Sequence, residues 1–307
     1  MIGVVAVAGE ALVDLVPGPD GGVTPRLGGG PFNAARAAAR VGSRTAFLGA
    51  ISTDPHGVAL AAALAADGVA LDPRLRTDRP TSLATATLDE AGVATYRFDF
   101  AGSSAEHLEP RTALAAVTPD VGALLIGGLG LVLRPMADAV EALAGHLTGR
   151  ALVMLDPNIR PQVISDREDF LARLRRLIAM TDVVKVSEED LAFLAPGVPP
   201  AEAASGLLRQ GPRLVLLTLG EDGAVALGAF GMRAASAPVV QAVDTIGAGD
   251  TFCGAWLSDW MACGAALSDG DAVQGAMVFA CRAAALSCVS AGAAPPTRAD
   301  LGRWPAG

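Results

Sequence analysis

The segment Asp244-Thr245-Ile246-Gly247-Ala248-Gly249-Asp250-Thr251-Phe252 sets two glycines around an alanine, brackets them with acids and runs into an apolar stretch. Glycines allow close backbone approach to a ligand and a positive φ without a Cβ penalty. Phe252, Ala255, Trp256, Trp260 and Cys263 follow at near-helical spacing, which places the glycines at a helix N-terminus. Unpaired amides and the positive end of the helix dipole make such a place a site for an anion, most often phosphate. A carboxylate at Asp250 would repel that anion unless it had a task, and accepting the proton of an attacking hydroxyl is one. An Asp N-cap on a glycine turn is the plain alternative.

Four other segments carry residue types suited to ligands. Gly28-Gly29-Gly30-Pro31-Phe32-Asn33 opens a helix, and the Asn33 amide offers both the donor and the acceptor that a polyol needs. Asp156-Pro157-Asn158-Ile159-Arg160-Pro161 ends an apolar run, where ligands of open α/β sheets bind, although its prolines equally mark a rigid turn. Ser187-Glu188-Glu189-Asp190 clusters acids at a helix start, either to favour the dipole or to hold Mg²⁺ through water. Thr218-Leu219-Gly220-Glu221-Asp222-Gly223 follows another strand, and its glycines would let a nucleotide lie against the backbone. Asp14, flanked by Leu12, Val13, Leu15 and Val16, is an acid that needs partners, from sugar hydroxyls, protein or water.

The elements that position these segments follow a βαβ rhythm. Strands are expected at 2–8, 45–50, 122–127, 151–155, 182–186 and 213–219, with 224–228 as a continuation. Helices are expected at 31–41, 56–67, 134–147, 167–179, 188–194, 200–210, 250–264 and 271–290. Continuously apolar strands such as Ala151 to Leu155 suit a parallel sheet covered on both faces, so the fold class is α/β, doubly wound. Residues 81–100 break the rhythm with period-two alternation around a turn, and 12–27 form a second extended pair. Together they predict a small β-sheet lid on a core made of 1–11, 28–80 and 101–307, with exposed edges through which two lids could pair into a homodimer.

Composition narrows the function. The 307 residues carry 18% charged and 51% apolar residues, enough for a large core. No uninterrupted apolar run is long enough for a membrane span, and Met1 enters an apolar strand without a basic leader, so a cytoplasmic protein without a membrane partner is expected. A net charge of -9 disfavours nucleic acid as partner. Lys185 is the only lysine, so a phosphate-binding P-loop cannot be written anywhere. The four cysteines form no Cys-x-x-Cys pair, and no His-Glu-x-x-His or Gly-x-Ser-x-Gly motif occurs.

With these segments in order, from Gly9-Glu10-Ala11-Leu12-Val13-Asp14 to Gly292-Ala293, nearly the whole chain resembles the ribokinase-like (PfkB) carbohydrate kinase family. Its two signatures match Gly28 to Gly42 and Asp244 to Phe252, and Asp156-Pro157-Asn158-Ile159-Arg160 looks most like fructokinases and 2-keto-3-deoxygluconate kinases. The resemblance implies a three-layer α/β/α fold, ATP and Mg²⁺ as cofactors, and a small sugar as substrate. It implies that Asp250 is the base, that the Gly247, Ala248 and Gly249 amides form an anion hole, and that Asp14, Gly29, Asn33 and Arg160 grip the substrate. Ser187, Thr218, Gly220 and Gly223 would line the ATP site.

Three departures qualify the carry-over. The family's Asn-x-x-Glu motif reads Ser187-x-x-Asp190, which weakens the transfer of Mg²⁺ to Asp190. K⁺ would bind around Asp244 and Ile246, but the later loop reads Gly292-Ala293-Ala294-Pro295-Pro296, with proline where relatives can have a hydroxyl. The second lid strand offers Phe98-Asp99-Phe100 where acid-sugar kinases commonly have arginine, so a neutral ketose such as fructose is expected, with Asp99 repelling acids. Phe98 and Phe100 could instead stack on a base, which makes a nucleoside kinase the alternative; a non-catalytic sugar-binding regulator is the other.

Overall fold

A computed structural model describes residues 3–17, 22–88 and 94–303. Residues 18–21 of the turn expected at 17–22, and all of the turn expected at 89–92, lie outside these. The first half of the chain contains strands β1 (Val4–Ala8), β2 (Leu12–Pro17), β3 (Val23–Gly28), β4 (Thr45–Leu48), β5 (Ile51–Ser52), β6 (Val69–Leu71), β7 (Arg76–Thr77), β8 (Ser82–Leu88) and β9 (Ala94–Asp99). Helices α1 (Gly30–Arg40), α2 (Pro55–Ala66) and α3 (Pro110–Ala115) accompany them. The second half adds β10 (Val121–Gly127), β11 (Leu152–Asp156), β12 (Val183–Ser187), β13 (Leu214–Thr218), β14 (Ala224–Gly228) and β15 (Gly231–Ala235). Its helices are α4 (Met136–Leu147), α5 (Arg167–Ala179), α6 (Glu188–Leu194), α7 (Pro200–Leu208), α8 (Ala248–Cys263), α9 (Gly270–Ser287) and α10 (Arg298–Arg303).

Nine strands form one sheet in the order β15-β14-β13-β12-β11-β10-β1-β4-β6. It is parallel from β6 to β13, and β14 and β15 close it as an antiparallel edge. The chain starts in the middle, moves out through β4 and β6, then returns to β10 on the other side of β1. That reversal between β1 and β10 is the switch point at which open α/β sheets take ligands.

Alternation along the strands builds two cores. Val5, Val7, Leu125, Met154 and Leu216 pack under α1, α2, α8 and α9. Ala6, Ala8, Ile126, Leu155 and Leu217 face α4, α5 and α7 on the opposite side. Strands buried on both faces need continuous apolar runs, which is why the pattern was readable in the sequence. The short β5, β6, β7 and α3, with β15 and α10, were not anticipated, because a run of two to six residues carries too little periodicity. Helix α8 starts at Ala248, two residues before the expected 250, because Gly247 takes the left-handed conformation (φ 80°) and turns the chain directly into the helix.

The extended pairs at 12–27 and 81–100 form a separate four-stranded sheet, β3-β2-β8-β9. Parallel pairing of β2 with β8, from Leu12 opposite Ser82 to Leu15 opposite Thr85, joins the two hairpins. Its root is tied to the core where Asp54 accepts the Thr81 amide at 2.7 Å and hydroxyl at 2.6 Å.

Helices α1 and α8 cross at small residues. A Cβ at Gly254 would clash with the Ala34 carbonyl and come within 2.9 Å of the Ala37 Cβ. The contact sets the distance between the N-terminal ends of both helices. Gly→Ala inside a helix ordinarily stabilises, but here Gly254→Ala should cost about 1–3 kcal/mol by overpacking. A lowered thermal midpoint with reduced turnover is expected, and a raised midpoint would contradict it.

Candidate active site

Asp250, in the first turn of α8, meets Asn33, in the first turn of α1. Asn33 Nδ2 donates to Asp250 Oδ2 at 2.9 Å. Asn33 is buried, and its Oδ1 has no partner among the described residues. Burial pushes the Asp250 carboxyl up to about 6; the Asn33 hydrogen bond opposes the rise, the Asp156 charge adds to it and Lys185 lowers it. Part of Asp250 still faces a crevice at the β1/β10 switch point, lined also by Gly30, Gly127, Gly128, Asn158 and Cys253.

The glycines make this closeness possible. A Cβ on Gly30 would lie 3.1 Å from both Asn158 Nδ2 and Asp250 Oδ1. Gly29, at φ 106°, packs so tightly that a Cβ would come 2.7 Å from the Glu10 carbonyl. Asn158 itself holds φ 41°, a left-handed turn that Asn tolerates better than most residues.

Helix α8 has no side-chain cap, so amides of its first turn are open to an anion. The expected hole differs in one member: the Ala248 amide donates to the Thr245 carbonyl at 3.2 Å. Asp244 joins two loops by accepting the Ile246 amide at 3.0 Å and the Gly292 amide at 2.8 Å. Ala293 then packs against Gly247, where a Cβ would lie 2.7 Å from the Ala293 Cβ. The two segments named for K⁺ are therefore adjacent, and Ile246 is exposed.

Of the residues expected to line the ATP site, Ser187 and Thr218 lie opposite each other at the ends of β12 and β13. Gly220 (φ 58°) and Gly223 (φ 100°) bound the short turn that follows. Asp190 is buried: one oxygen accepts the Ile159 amide at 2.8 Å, and the other accepts the Ser187 amide at 2.9 Å and its hydroxyl at 3.0 Å. This capping box gives Asp190 a structural task at the start of α6. Among the described residues, no cluster of three or more His, Cys, Asp or Glu could hold a metal.

The other expected substrate contacts divide. Arg160 is exposed, with its guanidinium turned to the Asn158 and Ile159 carbonyls, yet its charge reaches Asp250 and lowers its pKa. Asp14, on β2, lies against Gly28, and burial raises its carboxyl to about 6. Phe98 stacks on Phe100 at 5.2 Å, packed with Leu12, Ala84 and Leu129. Asp99 points the other way, exposed and paired with Arg97 at 3.0 Å. Strand alternation separates it from the Phe98 face, which removes the argument that Asp99 repels acidic sugars.

Comparisons with known proteins identify the family. The profile of the pfkB family carbohydrate kinases matches residues 4–300. The chain belongs to that family. The kinase is 36% identical over 252 residues to a fructokinase of Rhizobium leguminosarum bv. trifolii, covering 80% of this chain and 76% of that one. The structure of the Xylella fastidiosa fructokinase with bound ATP matches at TM-score 0.90 and 26% identity, over 98% of this chain and 97% of the other. An aminoimidazole riboside kinase from Salmonella enterica, complexed with its riboside and an ATP analog, matches at TM-score 0.86 and 25% identity, over 97% and 98%. The shared fold therefore carries more than one acceptor.

Sequence reasoning missed a buried ion pair beneath the site. Lys185 Nζ lies 3.2 Å from Asp156 Oδ2, and the Cys253 thiol donates to the same oxygen at 3.3 Å. A Cβ on Gly249 would come 3.3 Å from that ammonium, so the pair sits directly under the first turn of α8. Burial works against the Lys185 charge, but Asp156 together with Cys253 and Asp190 holds the ammonium above the ordinary lysine range. A lone lysine two residues after Val183 in a both-sides-buried strand was the available signal. Lys185→Met should cost about 3–5 kcal/mol in urea unfolding by leaving Asp156 unpaired. Adding Asp156→Leu should recover much of it; equal losses in the single and double variants would show that the pair is not coupled.

Proposed function

We propose that this kinase transfers the γ-phosphoryl of ATP to a hydroxyl of a small neutral ketose, with fructose as the acceptor. The observation that carries the reading is the Asn33–Asp250 contact at the mouth of an uncapped helix. Asn33 Nδ2 holds Asp250, while its buried, unpartnered Oδ1 is poised to accept a hydrogen bond from a sugar hydroxyl. Asp250 takes the proton of the attacking hydroxyl as that oxygen bonds to the γ-phosphorus, and the bond to the bridging oxygen of ADP breaks. The uncapped α8 amides meet the charge on the phosphoryl oxygens. Gly29 and Asp14 complete the sugar side, Phe98 its apolar wall, and Arg160 balances charge at the reacting end. Fructose as acceptor follows the fructokinase relatives and the apolar Phe98–Phe100 face.

The nucleotide is proposed to lie over Ser187, Thr218, Gly220 and Gly223. Mg²⁺ would supply charge neutralisation on the phosphates, and Asp190 is the acid that would hold it through water, beside its capping-box role. K⁺ is proposed at the turn of Asp244 and Ile246, beside the Gly292 loop. The four-stranded sheet acts as a lid that excludes water during transfer. A cytoplasmic location belongs to the same proposal.

Asp250 must be ionised to act, so kcat/KM should rise through about pH 6 and level off above it. Asp250→Asn should lose roughly 10²-fold or more in kcat together with that acidic limb. Near wild-type turnover in the variant would rule out the base. In an ADP-release assay fructose should exceed adenosine, inosine and 2-keto-3-deoxygluconate; a preference for a nucleoside would reassign the acceptor, and no acceptor-dependent release would make the chain a binding protein.

The edges β3 and β9 of the small sheet make pairing of two lids into a homodimer part of the same proposal. Light scattering at assay concentration should give twice the chain mass, and a monomer there would exclude it.

A further inference from the structure

Glu10 has no part in the chemistry proposed above, yet its carboxyl lies at the switch point between β1 and β10. It is 3% exposed. Oε1 accepts the Gly30 amide at 3.2 Å, and Oε2 accepts the Gly130 amide at 3.2 Å. Gly30 opens α1, whereas Gly130 belongs to the turn after β10, so one carboxyl joins two segments 100 residues apart. Neither segment has space beside it: a Cβ on Gly128 would stand 2.6 Å from Glu10 Oε1, and one on Gly29 would stand 2.7 Å from the Glu10 carbonyl.

Both segments are walls of the crevice. Gly30, Gly127 and Gly128 line it, and the α-carbon of Gly30 faces Asn158 and Asp250. A carboxylate enclosed by protein has lost its water, and these amides replace it. If either wall moved outward, the carboxylate would lose a charge-assisted hydrogen bond that water could not supply. The cost of opening therefore falls on the same groups that shape the sugar pocket.

We propose that Glu10 is a positioning residue for the sugar: its carboxylate straps the α1 loop to the β10 turn and so fixes Gly30 and Asn33 against Asp250. The inference rests on the reading that the sugar binds at Asn33 and Asp250. Charges around Glu10 are consistent with a group that is felt at the site. Burial raises its carboxyl to about 7, its own backbone amide opposes the rise and the Asp250 charge on α8 adds to it, while the α1 side and the 128–131 turn present backbone amides.

The isosteric Glu10→Gln variant tests the strap, because its –NH₂ must face one of two amide donors. At pH 8, above the Glu10 midpoint of about 7, the KM for fructose should rise about tenfold or more, the effect of one lost charge-assisted hydrogen bond, with the KM for ATP within about twofold of wild type. An unchanged fructose KM, or equal rises in both constants, would overturn the proposal. Should the variant not fold, the wild-type chain gives a second test by ¹H–¹⁵N NMR. The Gly30 and Gly130 amide signals should titrate together with one midpoint, and that midpoint should fall in Asp250→Asn, which lacks the charge that raises it. Separate midpoints would sink the strap. Because the amide signals do not depend on turnover, loss of the base assignment alone would leave this result standing.

Discussion

The close crossing of α1 over α8 is the constraint on which the site depends. Backbone and small side chains meet there, with Gly254 against Ala34 and Ala37, so two helix N-termini are held within hydrogen-bonding reach of each other. One terminus contributes Asn33 and the other Asp250. Neither residue is unusual alone; their joint position makes a carboxylate that is desolvated enough to be basic and still open to a crevice. The sheet reversal between β1 and β10 supplies that crevice, since the helices that follow these strands leave in different directions.

Charge at this place is balanced locally. Asp250, Asp156 and Glu10 are three acids at one end of the sheet, and burial raises each of them. An incoming nucleotide would add more negative charge. Lys185 beneath α8 and Arg160 at the rim oppose it from protein, and both lower the pKa of Asp250. Backbone amides do the rest: they satisfy Glu10 at Gly30 and Gly130, and Asp244 at Ile246 and Gly292. Dipoles stabilise an anion without bringing a countercharge that would quench a base.

The sheet and its main helices were legible because burial on both faces leaves long apolar runs, and the α5 and α6 boundaries agree with expectation to the residue. The glycine loops were legible for a related reason: only glycine permits the approaches at Gly29, Gly30 and Gly247, so the type announces the geometry. Partners were not. For Asp190 a sequence shows an acid at a helix start but not which amides it accepts. Asp99 read as a guard against acids because the face it takes depends on the strand's register against β8.

Glu10 and Lys185 mark the boundary of what sequence patterns reveal. Each is a charged residue at or within an apolar strand, a violation of the local rule that is compensated by groups distant in the chain: Gly30 and Gly130 for one, Asp156 and Cys253 for the other. A buried charge is costly unless its partners are in place, so it specifies one arrangement of those partners against alternatives that an apolar side chain would tolerate. The sequence can flag such a residue by its misfit. The structure supplies the reason: Glu10 lies against the α1 turn that faces Asp250, and Lys185 lies under the α8 turn that carries it.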